Sequence, residues 1–192
     1  MSSDLPTSKA GPAQALRKPL HPAHEACIGL GSNLGESLRI LQVAWAQLRE
    51  HPAIQPVALS SPYRSEPVGM DSTRWFINAA ALVRTTLTPP VLLEVLQSIE
   101  ARFGRVRPAQ GIGYLDRTLD LDLLLYDDFV SYSDGLVVPH PRLHQRLFVL
   151  EPLTEIAGDW MHPVRGKRVG DLLAKLLEMD KKQKVERFFW PG

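Results

Sequence analysis

Residues 117 to 128 read RTLDLDLLLYDD, and no other stretch constrains the fold as tightly. Alternate side chains of a β-strand project to opposite faces. Leu119, Leu121 and Leu123 therefore share one face, which reads as core, while Asp120 and Asp122 share the other. Two carboxylates side by side repel and shift each other's pKa unless something positive lies between them. A divalent cation meets that need. Mg²⁺ takes hard oxygen ligands, uses one or two carboxylates and fills the rest of its octahedron with water and substrate phosphates. Taken alone, an Asp-x-Asp is explained equally well by a half-exposed strand whose aspartates face water.

The charge around the pair favours the first explanation. Arg105, Arg107 and Arg117 all lie within 17 residues of Asp122, in a Gly- and Pro-containing loop and at the start of the strand. Guanidinium forks clamp phosphate oxygens, so arginines beside a cation site point to a polyphosphate, with simple ion pairs to Asp116 or Asp120 as the competing role. His140 stands between Pro139 and Pro141, close to Arg146 and Phe148, and its fixed direction suits either a phosphate ligand or a structural histidine. Asn78, a polar residue inside the apolar run FINAA, needs partners from the protein or a ligand. Phe76, two residues earlier, faces the same way and can stack on a flat ring or simply pack.

Around these residues the pattern predicts a single α+β domain with a largely antiparallel sheet, over residues 26–180. Residues 1–25 read as a disordered leader and residues 181–192 as a polar tail. A strand near 26–30 enters the turn Gly31-Ser32-Asn33-Leu34-Gly35, read as a tight connection to a helix with Leu38, Leu41, Trp45 and Leu48 on one face. Strands follow over 54–64 and through WFINAAALVRTTL. Thr88 is placed to cap a helix striped by Leu92, Val95, Leu96, Ile99 and Phe103. The loop 105–116 is expected to be mobile. A short strand at 136–138, an apolar segment at 148–156 and an amphipathic helix at 169–179 complete the chain.

Several function classes drop out. Gly29, Gly31 and Gly35 match neither the dinucleotide fingerprint nor a Walker A loop, since position 34 is Leu and no Gly-Lys-Ser/Thr follows. A net charge of +1 gives no bulk bias toward nucleic acid or membrane. One cysteine, Cys27, cannot form an internal disulfide, and no apolar run reaches membrane-span length, so a cytoplasmic protein is expected.

The ordered series GLGSNLG, SSPYRSEPVG, FINAA, IEARFGRVR, RTLDLDLLLYDD and VPHPRLHQRLFVLEPL resembles the 6-hydroxymethyl-7,8-dihydropterin pyrophosphokinases over about residues 26–175. The resemblance implies a three-layer α-β-α, ferredoxin-like core and transfer of pyrophosphate from ATP to the pterin, with AMP released, in folate biosynthesis. It implies two Mg²⁺ ions on Asp120 and Asp122, and phosphate contacts from Arg105, Arg117, His140 and Arg146, with Gln97 and Glu100 in the ATP site. Ser65, Pro67, Val68 and Gly69 would form the pterin-side loop. Asn78 would read the ring edge, Phe148 would stack on one face of the ring and Phe76 would line the pocket. A monomer acting on small molecules, without nucleic acid or membrane, is expected. The approach Gly113-Tyr114-Leu115-Asp116 departs from the family's usual Trp-Gly-Pro. Other readings of the residues are a different Mg²⁺-dependent nucleotide enzyme, such as a nucleotidyl- or glycosyltransferase, and a non-catalytic RNA-binding sheet.

Overall fold

The Asp-x-Asp run forms the strand at one edge of the main sheet. In the computed structural model, which describes residues 23–69, 72–105, 115–180 and 182–191, the elements follow the order β1 (His24–Ser32), α1 (Ser37–Glu50), β2 (Ile54–Leu59), β3 (Tyr63–Ser65), β4 (Phe76–Thr85), α2 (Pro89–Arg102) and β5 (Asp120–Tyr126). Then come β6 (Ser131–Ser133), β7 (Leu136–Val138), a 3₁₀ turn at Leu143–Gln145, α3 (Leu147–Ala157), β8 (Met161–His162), β9 (Lys167–Arg168), α4 (Val169–Met179) and β10 (Val185–Arg187). The main sheet runs β10-β3-β4-β1-β5, with β2 also on β4, and every pairing is antiparallel. With β2 and β3, both paired to β4, counted as one interrupted strand, β1 through β5 make the βαββαβ order of a ferredoxin-like sheet, with helices on both faces.

Two apolar clusters hold the layers together. On one face Leu41, Ala44 and Leu48 of α1 and Leu92, Leu96 and Ile99 of α2 pack on Ile28, Leu30, Val83, Leu121 and Leu123. On the other, Leu150 and Leu153 of α3 and Val169 and Leu172 of α4 pack on Cys27, Ala80, Leu124 and Leu125. The strict alternation read along β5 breaks at one place. Cys27 lies opposite Leu125 and Ile28 opposite Leu123, so Leu124 is an extra residue, a β-bulge that turns Leu124 and Leu125 to the same cluster.

Three other expectations need correcting. The strand expected over 54–64 is two strands, because Ser60 leaves the ladder and its Oγ accepts the Ala80 N–H at 2.9 Å just before Pro62. Thr88 precedes α2, but its side chain makes no capping hydrogen bond; its carbonyl accepts the Leu92 N–H instead. The segment after residue 180 is more than a polar tail: β10 extends the sheet from β3, and Trp190 donates Nε1–H to the Ser60 carbonyl at 2.9 Å. Most of the expected leader and of the loop 105–116, including Arg107, lies outside the described residues. Among the described residues no helix is long and apolar enough to cross a membrane.

Candidate active site

The cavity lies on the sheet face that carries α3, above β5, β1 and β4. Its volume is about 180 Å³, and Asp120, Asp122, Arg105, Arg117, His140 and Arg146 line it together with Ser65, Val68, Phe76, Asn78 and Phe148. Pro67 and Gly69 line an adjoining cavity shared with Val68, Phe148 and residues 182–185. Residues spread over more than 80 positions of sequence therefore meet in one place.

Backbone forms the floor. Gly31 pairs with Asp120 on one side and Asn78 on the other, and Gly29 with Asp122 and Ala80. A Cβ on Gly31 would stand 3.3 Å from Asn78 Oδ1 and 3.7 Å from Asp120 Cβ, so only glycine keeps the strip between carboxylate and amide bare. Gly29 instead admits the side chain of bulged Leu124, whose nearest atom would lie 3.3 Å from an added Cβ. These glycines belong to the strand, not to the turn that follows it. Their period of two, in step with the aspartates, was the signal available in the sequence.

Asp120 is held from both sides. Arg117 Nη1 donates to its Oδ2 at 2.8 Å, and Arg105 Nη1 donates to its Oδ1. Asp122 makes no hydrogen bond among the described residues; loss of hydration beneath the cavity, then the charge of Asp120, pushes its carboxyl up to about 7. Among the described residues no group of three or more His, Cys, Asp or Glu could hold a metal by itself. Two carboxylates, one of them lacking a hydrogen-bond donor, fit a hard cation that draws its remaining ligands from water and phosphate, and they do not fit a closed protein cage.

His140 is the product of the bulge. Leu124 lacks a ladder partner, and its carbonyl accepts the His140 N–H at 2.9 Å, which fixes the loop after β7 over the site. Burial, then the neighbouring Arg146, lowers the imidazole to about 4, so it is neutral near pH 7. Its Nδ1 accepts the Arg142 N–H at 3.3 Å, which leaves the hydrogen on Nε2, a donor suited to a phosphate oxygen.

The other end of the cavity combines a buried amide with two aromatic side chains. Asn78, 6% exposed, donates Nδ2–H to Ser65 Oγ at 3.0 Å, and its Oδ1 lies over Gly31. The Arg117 guanidinium lies 5.8 Å from the centre of the Phe76 ring, and Arg146 lies 5.4 Å from that of Phe148. Each aromatic thus has an arginine against it, which orders both side chains.

Two expected residues are elsewhere. Glu100 is 2% exposed and does not line the cavity; its Oε1 accepts the Leu121 N–H at 2.7 Å and pairs with Arg105. Gln97, half-buried on α2, does not line it either. Conversely, Asn33 was read as part of a simple turn, yet its Oδ1 accepts the Arg117 N–H at 2.8 Å, its N–H donates to the Arg117 carbonyl at 3.1 Å, and its Nδ2–H reaches Asp116 at 2.6 Å. Asn33 fixes the backbone from which Arg117 projects. A polar residue between two glycines marked it only weakly.

Comparison with known proteins gives the same picture. The chain is 43% identical over 151 residues to a 2-amino-4-hydroxy-6-hydroxymethyldihydropteridine pyrophosphokinase of Methylorubrum extorquens, covering 79% of this chain and 92% of the relative. It is 43% identical over 131 residues to the protein of that name in Bacillus subtilis, covering 68% and 77%. Among solved structures, a Plasmodium falciparum HPPK-DHPS with pterin and p-hydroxybenzoate aligns with a TM-score of 0.70 at 14% identity, over 88% of this chain and 48% of that one. The chain thus spans less than half of that longer protein, and the likeness shows the fold. Residues 27–158 match the family model for 7,8-dihydro-6-hydroxymethylpterin-pyrophosphokinase (HPPK), and the chain belongs to that family.

Proposed function

We propose that this chain transfers pyrophosphate from ATP to the hydroxymethyl group of 6-hydroxymethyl-7,8-dihydropterin in folate biosynthesis. The hydroxymethyl oxygen forms a bond to the β-phosphorus, the bond from that phosphorus to the α,β-bridging oxygen breaks, AMP leaves and the hydroxyl proton is released. The observation that carries this reading is the bare Gly31 strip, which separates a carboxylate and arginine cluster from a buried amide flanked by two aromatics. One cavity therefore offers a polyphosphate end and a heteroaromatic end.

Asn78, oriented by Ser65, reads the hydrogen-bonding edge of the pterin, while Phe76 and Phe148 face its ring and residues 67–69 border it. Arg105 and Arg117 exchange Asp120 for phosphate oxygens when ATP arrives, and Arg146 and the His140 Nε2–H hold the same chain of phosphates. Glu100 acts through Arg105, without touching the nucleotide. Asp120 and Asp122 are the residues to hold magnesium, two ions in this reading. Bound there, magnesium offsets the charge of the phosphate oxygens and lowers the pKa of the attacking hydroxyl. Positioning and charge do the work, and no protein nucleophile is needed. The chain acts as a monomer in this reading, and the single buried Cys27 fits the reducing cytoplasm.

Asp120→Ala and Asp122→Ala test the assignment. Each should abolish pterin-dependent AMP release while circular dichroism still shows the folded chain. Near-native turnover in either variant would show that the carboxylates do not hold the metal.

A further inference from the structure

The segment beyond the family-matched residues borders the site, where Gln183 holds the backbone on both sides of Arg146. Its Oε1 accepts the Leu147 N–H at 2.8 Å and its Nε2–H donates to the Gln145 carbonyl at 3.0 Å. These two backbone groups flank Arg146, which is extended at φ −119° and ψ 110°. In an extended backbone the carbonyl before a residue and the N–H after it point to the same side, so one amide spans both as a neighbouring strand does. The amide is itself aimed: its second Nε2–H goes to Asp180 Oδ2 at 3.0 Å, and Asp180 Oδ1 accepts the Lys182 N–H at 2.9 Å. Exchanging the oxygen and nitrogen of Gln183 would set like against like at all three contacts. Two residues on, Val185 pairs with Ser65, the residue that orients Asn78.

Helix α3 starts at Leu147 without a side-chain cap from Arg146, whose own carbonyl accepts the Val149 and Leu150 N–H groups. Gln183 therefore supplies a partner to an N–H that the first turn of the helix leaves open. It also fixes the backbone of Arg146 on one side of the cavity and the start of the helix that carries Phe148. We propose that Gln183 is a positioning residue for Arg146, so that the chain's C-terminal segment completes the ATP side of the site. This inference rests on the proposed pyrophosphokinase reaction.

The test uses the full chain with Gln183→Ala and, to keep side-chain length without the amide, Gln183→Met. Amide exchange of Leu147 and steady-state kinetics in ATP are measured with the thermal midpoint. Both variants should exchange Leu147 faster and lose about tenfold in kcat/KM for ATP, the size of one or two hydrogen bonds to a polar group. Most of the loss should lie in KM, with kcat changed little. A midpoint that falls without a change in the ATP KM would make Gln183 merely structural and overturn the proposal. Unchanged Leu147 exchange would overturn it as well. A wild-type chain that protects Leu147 but makes no AMP would refute the reaction and leave the clamp intact, so the two failures are distinguishable.

Discussion

At the scale of single residues, the site depends on one side chain that is missing. Gly31→Ala places a methyl 3.3 Å from Asn78 Oδ1, and the amide must give by a few tenths of an ångström, which disturbs its hydrogen bond to Ser65. The expected result is about tenfold weaker pterin binding, as for a displaced hydrogen bond in a buried pocket, with a much smaller change in ATP affinity. Titration calorimetry with each ligand checks the difference. Asp122 gives a second prediction. Its folded pKa, about 7, lies above the usual 3.8, so its contribution to stability is present below the usual value and lost as pH rises through about 7. Without magnesium, the thermal midpoint of the wild type should fall across that window relative to Asp122→Asn, and magnesium should reverse the loss above it. Differential scanning calorimetry across pH reads both slopes. His140, lowered from 6.5 to about 4, makes stability rise with pH between those values, and the comparison with Asp122→Asn cancels that slope because both chains carry it. The aspartates and Asn78 were legible in sequence because each is a polar group in an apolar strand, and Arg105 and Arg117 because they lie close to the aspartates along the chain. Gly31 was read as a turn because a glycine carries no sign of what its missing side chain leaves room for.

At the scale of elements, β5 is tied to the helices on one face and to Arg105 and Arg117 on the other. Glu100 of α2 joins the two through the Leu121 N–H and Arg105. Replacing it by alanine leaves a buried donor and a guanidinium without that partner, which should cost about 2–4 kcal/mol. Urea unfolding should show that loss, together with a fall in activity through the released Arg105. The heptad-like stripe of α2 predicted which face is core, and periodicity alone could not say that a carboxylate would be buried beside it. The bulge at Leu124 was equally hidden. Residues 123 to 125 are all leucine, so nothing local marks which one is extra; the register is set by Cys27 and Ile28 across the ladder. That register delivers His140 to the cavity through the Leu124 carbonyl. Even where the local pattern named the strand, long-range pairing set its detail.

At the scale of the whole molecule, three layers place the charged end and the aromatic end of the cavity on one sheet face, and the C-terminal segment closes the edge beside them. That segment is short and charged, and only the open edge of β3 makes it a strand, so the sequence alone read it as a tail. Deleting residues 182–192 removes β10, Gln183 and the Trp190 contact to Ser60. We expect the midpoint to drop by about 5–10 °C, as for a loss of a few kcal/mol in a domain of this size. A scanning fluorimetry comparison with the full chain measures it. The central claim is nevertheless chemical, and phosphorus NMR of a single reaction tests it most directly. With ATP, magnesium and 6-hydroxymethyl-7,8-dihydropterin, the account predicts AMP and a pterin diphosphate in equal amounts, with no AMP when the pterin is omitted. ADP with a pterin monophosphate, or AMP formed without pterin, would contradict it.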